Sequence, residues 1–418
     1  MAERPAFPVN VSRRSLLLGA GGVAASGPAI VRAQGLSRVR TVVVGAGVFG
    51  AWTAEHLRRA GQTVTLIDTF GPAHSRSSSG GESRMTRAGY GKDSIYARMA
   101  RDSLVEWQKL SDSAGLPILN RHGVLFFFQG DSPYLRDSLA VHRRLGLPTE
   151  SLSAAQMARR FPMIDFAGVT AGMFEPGFGA LMARRAVQTL VARFEAEGGQ
   201  RRQVAILPPA RTRRLDELRT SDGSKIEGDR FVFACGPWLP KLFPDLLAGR
   251  IVATRQEVFT FAPPAGDSMY QPSRMPGWAD FNGGDVYYGF PDLEGKGVKF
   301  AHDAHGVEVD PDTQSRVPSE RALADVIAFR DRRFPGLRNA PLATAEVCQY
   351  ENSGNGDFLI DRHPQWSNVV LVGGGSGHGF KHGPEVGRLA AGLMHGTLPV
   401  EPRFSLATKS EAQKREVI

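Results

Sequence analysis

Thr41-Val42-Val43-Val44-Gly45-Ala46-Gly47-Val48-Phe49-Gly50 decides the fold. Four β-branched residues in a row read as a short buried parallel strand. They run directly into G-x-G-x-x-G, and a helical stretch follows to Ala60, with Gly61 as its cap. Val64 to Ile67 is a second apolar strand ending at Asp68. Strand, glycine turn, helix, strand and acid in this order form the dinucleotide fingerprint. Gly45 permits the tight turn, Gly47 lets the backbone approach a pyrophosphate, and Gly50 lets helix and strand pack closely. Val48 and Phe49 open the helix whose first turn faces that pyrophosphate. Asp68 is placed to bond the adenosine ribose. An acid rather than a base there argues against a 2′-phosphate, but the motif alone does not separate FAD from NAD.

Outward from this unit the chain alternates between α/β and β patterns. Asp93 to Leu110 reads as an amphipathic helix with Tyr96, Met99, Ala100, Leu104, Trp107 and Leu110 on one face. His122 to Gln129 is an apolar strand. Ser132-Pro133 starts a helix that Gly146 ends, and Ser153 with Gln156 forms a capping box. Met182 to Glu197 is a helix stopped by Gly198-Gly199, and Asp222-Gly223 sits at a hairpin turn. Phe231 to Ala234 is another buried strand. Val252 to Phe261 and Val286 to Ala301 read as sheet. Val369 to Val372 is a last apolar strand, followed by the glycine-rich run Gly373 to Gly379. The expected fold is therefore α/β: a discontinuous Rossmann-type nucleotide domain (38–118, 168–245 and 345–418) around a substrate domain (119–167 and 246–344) built on a mixed or antiparallel sheet with helices.

Residues 1–33 read as an address. Ser12-Arg13-Arg14-Ser15-Leu16-Leu17-Leu18, a Gly/Ala-rich stretch and Val31-Arg32-Ala33 make a twin-arginine signal, cleaved near Ala33. A disordered basic extension is the alternative. The twin-arginine route carries folded proteins, which suits a chain that folds around a cofactor. The mature protein is then periplasmic or secreted, and no other segment has 18 consecutive apolar residues. The formal charge of +9 falls to +6 when the leader's four arginines and one glutamate leave. No Lys/Arg run or aromatic-interleaved basic stripe accompanies it, so nucleic-acid binding is not expected. Two cysteines, Cys235 and Cys348, make neither a disulfide framework nor a metal set.

Three blocks make the assignment more specific. The first is Gly81-Glu82-Ser83-Arg84-Met85-Thr86-Arg87-Ala88-Gly89-Tyr90-Gly91. The second is Val286-Tyr287-Tyr288-Gly289-Phe290-Pro291, then Gly297-Val298-Lys299 and Asp310-Pro311-Asp312-Thr313. The third is Cys348-Gln349-Tyr350, Phe358-Leu359-Ile360-Asp361 and Ser376-Gly377-His378-Gly379-Phe380-Lys381. Together they resemble the monomeric sarcosine oxidase and N-methyltryptophan oxidase family, FAD-dependent amine oxidases of the D-amino-acid-oxidase-like superfamily. Shorter echoes are Phe174-Glu175-Pro176 and Gly236-Pro237-Trp238, so the resemblance spans nearly all of the mature chain.

The resemblance implies FAD held covalently through Cys348. It implies that Arg87 and Lys381 bind a substrate carboxylate, that Lys299 sits over the flavin and activates oxygen, and that Arg84 packs near the same face. Tyr288 and His378 would line the substrate cavity. Gly375, Gly377, Gly379 and Lys381 would approach the cofactor beside the last helix. The implied reaction oxidises the C–N bond of a secondary amine or N-substituted amino acid to an imine, with hydrogen peroxide as co-product. It needs no metal, and no ligand cluster is visible. The implied partners are a small amine, molecular oxygen and the twin-arginine export machinery, with the protein a monomer.

Alternatives stay open for several residues. Cys348 could be an inert thiol or pair with Cys235. Lys299 could be a surface lysine, Arg84 and Arg87 a solvated pair, and His378 a satisfied core histidine. Tyr287 should pack in the core while Tyr288 faces the pocket, since strand neighbours point oppositely. Two positions depart from the family. Gly80 stands where a histidine is usual. Asp303 stands where sarcosine oxidase has a pocket histidine, with His302 beside it, so a small shift could restore an imidazole. An Asp303 facing the cavity would favour a larger amino acid or an amine with a second cationic group. A dehydrogenase passing electrons to a quinone or protein is the competing enzyme. A non-catalytic periplasmic flavin- or amine-binding protein is the competitor from another class, and the retained Lys299, Cys348, His378 and Lys381 argue against it.

Overall fold

The computed structural model describes residues 39–210, 212–282 and 286–413, so the leader 1–33 lies outside the described residues. Strand Arg40–Val44 is flanked on both sides by parallel partners, Arg230–Phe233 and Thr63–Asp68. Val42, Val43 and Val44 are buried, which is why this strand is apolar throughout rather than alternating. The six-stranded sheet runs Leu359–Arg362, Val369–Gly373, Arg230–Phe233, Arg40–Val44, Thr63–Asp68, Gln200–Gln203. It therefore draws strands from both ends of the unit. Its one antiparallel pair is Leu359–Arg362 with Val369–Gly373.

The turn glycines act by geometry. Gly45 has φ +103°, and a Cβ there would run into the Ala234 carbonyl. At Gly50 a Cβ would overlap the carbonyl oxygen of Gly45. Helix Val48–Arg59 can thus start directly beneath the first strand. It packs on helix Gly383–His395, where Gly383 and Gly387 lie against Trp52. The expected caps are present: Ser132 accepts from the Leu135 amide, and Ser153 with Gln156 closes its capping box.

The eight-stranded sheet runs Leu342–Ser353, Ile251–Phe261, Val298–Asp303, Val286–Phe290, Gly277–Asp280, Val124–Phe128, Ala171–Glu175, Glu150–Ser153. All its pairs are antiparallel except Gly277–Asp280 with Val124–Phe128. One face carries Leu125, Phe127, Phe259, Trp278 and Phe300 against helix Glu320–Arg333, with Trp278 stacked on Phe329 at 5.5 Å. Each large side chain buried there contributes roughly 1.5–3 kcal/mol.

Register fixes what the other face carries. Gln256 pairs with Cys348, Thr260 with Lys299, and Tyr288 with Ala301. Cross-strand partners share a face and alternate residues return to it. Cys348, Tyr350, Lys299, Asp303 and Tyr288 are therefore on one surface, opposite the aromatic core. Tyr287 is on the core side, stacked on Phe329 at 4.1 Å and on His302 at 4.3 Å. The alternation expected for Tyr287 and Tyr288 holds.

Candidate active site

A cleft of about 370 Å³ opens at the carboxyl ends of the parallel strands. Gly45, Gly47, Val48, Phe49 and Asp68 line one side. Gly375, Gly377 and Gly379 line another, and Arg84 and Tyr350 stand at the end nearest the eight-stranded sheet. The N-cap of the first helix is Gly47, which offers no side-chain acceptor. Ser79 takes the Val48 amide at 3.0 Å, and the rest of the first turn is open to an anionic ligand. The Asp68 carboxylate accepts from the amides of Ala46, Phe70 and Gly71, which fixes it at the strand end. Two buried polar atoms of cleft residues, Ser78 Oγ and Glu351 Oε1, have no hydrogen-bond partner among the described residues. Glycine edges, an uncapped helix start and orphaned polar atoms fit a dinucleotide.

Gly80 is explained by its neighbours. A Cβ there would strike the backbone carbonyl of His74, so the turn at 74–80 admits no histidine at that position.

At the sheet end, Arg84 donates to the carbonyls of Ser78 and Ser83, both at 2.8 Å, and to Cys348 Sγ at 3.3 Å. Lys299 is 5% exposed and donates to the Ser83 carbonyl at 3.1 Å. Burial first, then the nearby Arg84 guanidinium, pulls its ammonium down to about 7. Lys299 is thus no surface lysine, and Arg84 is no solvated side chain. Tyr350 donates to Asp303 at 3.1 Å. Burial and then Asp303 push the Tyr288 hydroxyl up to about 12, so it is a proton donor at neutral pH.

A second cluster centres on Tyr90. Lys381, 4% exposed, donates to the Tyr90 hydroxyl and to the His378 carbonyl, both at 2.7 Å. Arg87, also buried, lies over the Tyr90 ring at 4.3 Å and bonds the Gly89 carbonyl. Burial works against the Arg87 charge, while Tyr134, Tyr90, Glu175 and, least, Asp303 favour it. His378 is held at both ring nitrogens, by Tyr90 at 3.1 Å and the Gly356 carbonyl at 3.0 Å, and stacks on Phe358.

The imidazole shift considered for His302 does not occur. His302 pairs with Asp325 at 3.0 Å beside Tyr287, on the core side, and Asp303 keeps the face shared with Lys299. Cys235 and Cys348 are not bonded to each other. Burial raises the Cys235 thiol well above its ordinary value, but the residue is half-buried at the wall of the cleft rather than in the core.

Sequence reading gave no role to Tyr90, Tyr350 or Glu351. The first two were within reach. Tyr350 is two residues after Cys348 on one strand, and Tyr90 follows Arg87 by three. Glu351 carries no sequence signal, because its burial depends on the loop Gly373–Gly375 folding over it.

The profile of the family described as FAD dependent oxidoreductase (DAO) matches residues 40–393. The chain belongs to this family. It is 31% identical over 362 residues to monomeric sarcosine oxidase of Streptomyces avermitilis, covering 84% of this chain and 92% of that one. To N-methyl-L-tryptophan oxidase of Escherichia coli it is 28% identical over 361 residues, covering 84% and 93%. The solved structure of the deglycating enzyme fructosamine oxidase from Aspergillus fumigatus shares the fold, with TM-score 0.76 at 22% identity over 91% of this chain and 92% of that one. As an FAD-dependent oxidoreductase, the protein would hold the dinucleotide in the cleft lined by Gly45, Gly47, Asp68, Gly375 and Gly379. Among the described residues, no helix is long and apolar enough to cross a membrane.

Proposed function

We propose that this protein oxidises the C–N bond of an N-substituted amino acid, with molecular oxygen as electron acceptor and hydrogen peroxide as product. The observation that carries this is the convergence of two buried cations, Arg87 and Lys381, on Tyr90, beside the sheet face that bears Lys299, Tyr288 and Cys348. A carboxylate placed between two desolvated cations makes charge-assisted bonds and fixes the amine next to it. FAD, when bound, would supply the acceptor for the hydride that leaves the carbon beside the nitrogen. Water then hydrolyses the imine to a carbonyl product and a free amine.

The side chains supply the rest. Tyr288 stays protonated and orients the substrate. Lys299 holds a positive charge where electrons pass to oxygen. Cys348 shares its strand face with the cleft residue Tyr350 and has the cleft residue Arg84 on its sulfur, which supports a thioether to the flavin. Asp303 repels a second carboxylate and attracts a cation, so the preferred substrate is larger than sarcosine or carries a further positive group. The paired arginines and short apolar core of residues 1–33 support export through the twin-arginine route, with a monomer working in the periplasm or outside the cell.

A panel of N-methyl and N-alkyl amino acids, scored for oxygen uptake and peroxide, tests this reading. Turnover confined to an artificial quinone or dye acceptor would replace it with a dehydrogenase. Sarcosine turned over as well as every larger amine would remove the role of Asp303.

A further inference from the structure

Glu351 is an acid in an unexpected place. It lies near the end of the long strand Leu342–Ser353, one residue beyond Tyr350, so its side chain leaves the substrate face and enters the dinucleotide cleft. It is 6% exposed. The amides of Gly374 and Gly375, in the loop after strand Val369–Gly373, act on its carboxyl group in favour of the charged form, against the larger effect of burial. Gly373 lies so close to Oε1 that a Cβ there would collide with it. Oε1 itself has no hydrogen-bond partner among the described residues.

Among the described residues, no cation pairs with the Glu351 carboxyl. Strand Ile251–Phe261 presents Ala253 as the cross-strand partner, and the short helical turn after Cys235 contributes the Leu239 methyls. A titratable neighbour is the Cys235 thiol, which feels both Asp68 and Glu351. No Lys or Arg acts on the Glu351 carboxyl among its principal influences, which are burial and the two glycine amides. An ionised carboxylate here would face the phosphates of a bound dinucleotide, negative against negative in a low dielectric. A neutral acid would instead present an O–H where the protein leaves that oxygen unpartnered.

We infer that Glu351 is held as a neutral acid and donates a hydrogen bond to an oxygen of the FAD diphosphate–ribityl stretch, making cofactor retention dependent on its proton. Burial pushes the group up to about 8, which keeps it protonated at neutral pH. Deprotonation above that range turns the donor into an anion facing the phosphates. The inference rests on FAD being the ligand of this cleft.

The test uses flavin-loaded protein carrying Cys348→Ser, so that only non-covalent contacts hold the cofactor. Flavin release is followed by fluorescence from pH 6 to 9.5, with and without Glu351→Gln. Release from the parent should quicken with pH as Glu351 loses its proton, by up to roughly tenfold per pH unit, and level off once the group is ionised. Glu351→Gln keeps a neutral donor and should release slowly and evenly across the range. A parent without this slope, or a slope that survives in Glu351→Gln, overturns the role of Glu351. If the Cys348→Ser protein does not retain enough flavin, the same comparison is made on the thermal midpoint of the Cys348 holoprotein. Its pH slope should exceed that of the flavin-free protein in the parent but not in Glu351→Gln, and equal slopes would overturn the inference. Purified protein that never contains FAD would instead overturn the cofactor reading itself.

Discussion

Arg84 donates to the sulfur of Cys348 across 3.3 Å while its other contacts, the carbonyls of Ser78 and Ser83, anchor the guanidinium to the loop that enters the dinucleotide cleft. The pair joins two distant parts of the chain, a strand of the eight-stranded sheet and the segment after the nucleotide fingerprint. The guanidinium lies against the sulfur on the strand that also carries the cleft residue Tyr350, which suits a thioether to the flavin. Acid-precipitated protein should therefore keep its yellow colour, and Cys348→Ser should lose it to the supernatant. Arg84→Lys keeps the charge but not the three-way fork. It should give protein with less flavin in the pellet at equal expression, read from pellet absorbance.

Lys299 separates the two half-reactions. Lys299→Met should slow flavin reoxidation by oxygen by roughly 10²–10³-fold, the scale for removing one preorganised charge donor. Substrate-driven flavin reduction should change far less, and stopped-flow traces of each half-reaction check this. The pH dependence follows from the ammonium's position near 7. A lysine is charged below its pKa, so the oxygen half-reaction should fall as pH rises beyond about 7, while Lys299→Met is slow and flat. An anionic reduced flavin moves the fall upward in pH, never downward.

The dinucleotide half of the fold was legible because its constraints are local. Gly45 and Gly50 are required by contacts with the next strand and with each other, and the Thr41–Val44 run is buried by partners on both sides. Alternation along one strand also separated Tyr287 from Tyr288. The choice between His302 and Asp303 was not legible. It depends on which face of Val298–Asp303 meets the helix that carries Asp325, a contact 23 residues away in sequence. Helix Glu320–Arg333 gave a weak signal because few of its residues are buried: Val326, Phe329, Arg330 and Arg333. The pairing of Arg87 with Lys381 came from the family resemblance alone, and Tyr90 between them was missed, because the three meet only when the first and last parts of the chain close on one another.

Arg87, Lys381 and Tyr90 should act together on the carboxylate. Arg87→Ala should raise KM for an amino-acid substrate by roughly 10–100-fold, corresponding to about 1.5–3 kcal/mol for a charge-assisted hydrogen bond. The matching amine without its carboxylate should lose little. Tyr90→Phe removes the hydroxyl that receives Lys381 but leaves the ring beneath Arg87, so its effect should be smaller and equally selective. Measuring KM for both substrates in each variant checks the pattern, and equal losses on both would assign the cluster a structural role.

Asp303 should set the sign preference of the substrate's far end. Asp303→Asn keeps an acceptor for the Tyr350 hydroxyl but removes the charge. Preference for a cationic over a neutral side chain, expressed as the ratio of kcat/KM, should fall by roughly tenfold or more, as expected for one partly buried charge pair. Asp303→His should improve sarcosine relative to the cationic substrate. Ratios unchanged in both variants would place Asp303 outside the substrate's reach.

Glu351 also makes a statement about stability. Its folded value near 8 lies above the ordinary 4.5. Below pH 4.5 the carboxyl is protonated in both folded and unfolded chains, and its full contribution to stability is present. Between 4.5 and 8 the unfolded chain ionises while the folded one holds the proton, so stability falls as pH rises, by up to about 1.4 kcal/mol per pH unit. Above 8 the loss is complete. Glu351→Gln removes the titration, so its thermal midpoint relative to wild type should be higher at pH 8 than at pH 5. Melting curves of both proteins at the two pH values decide the point. Midpoints that differ by the same amount at both would mean that Glu351 is ionised in the folded protein throughout this range.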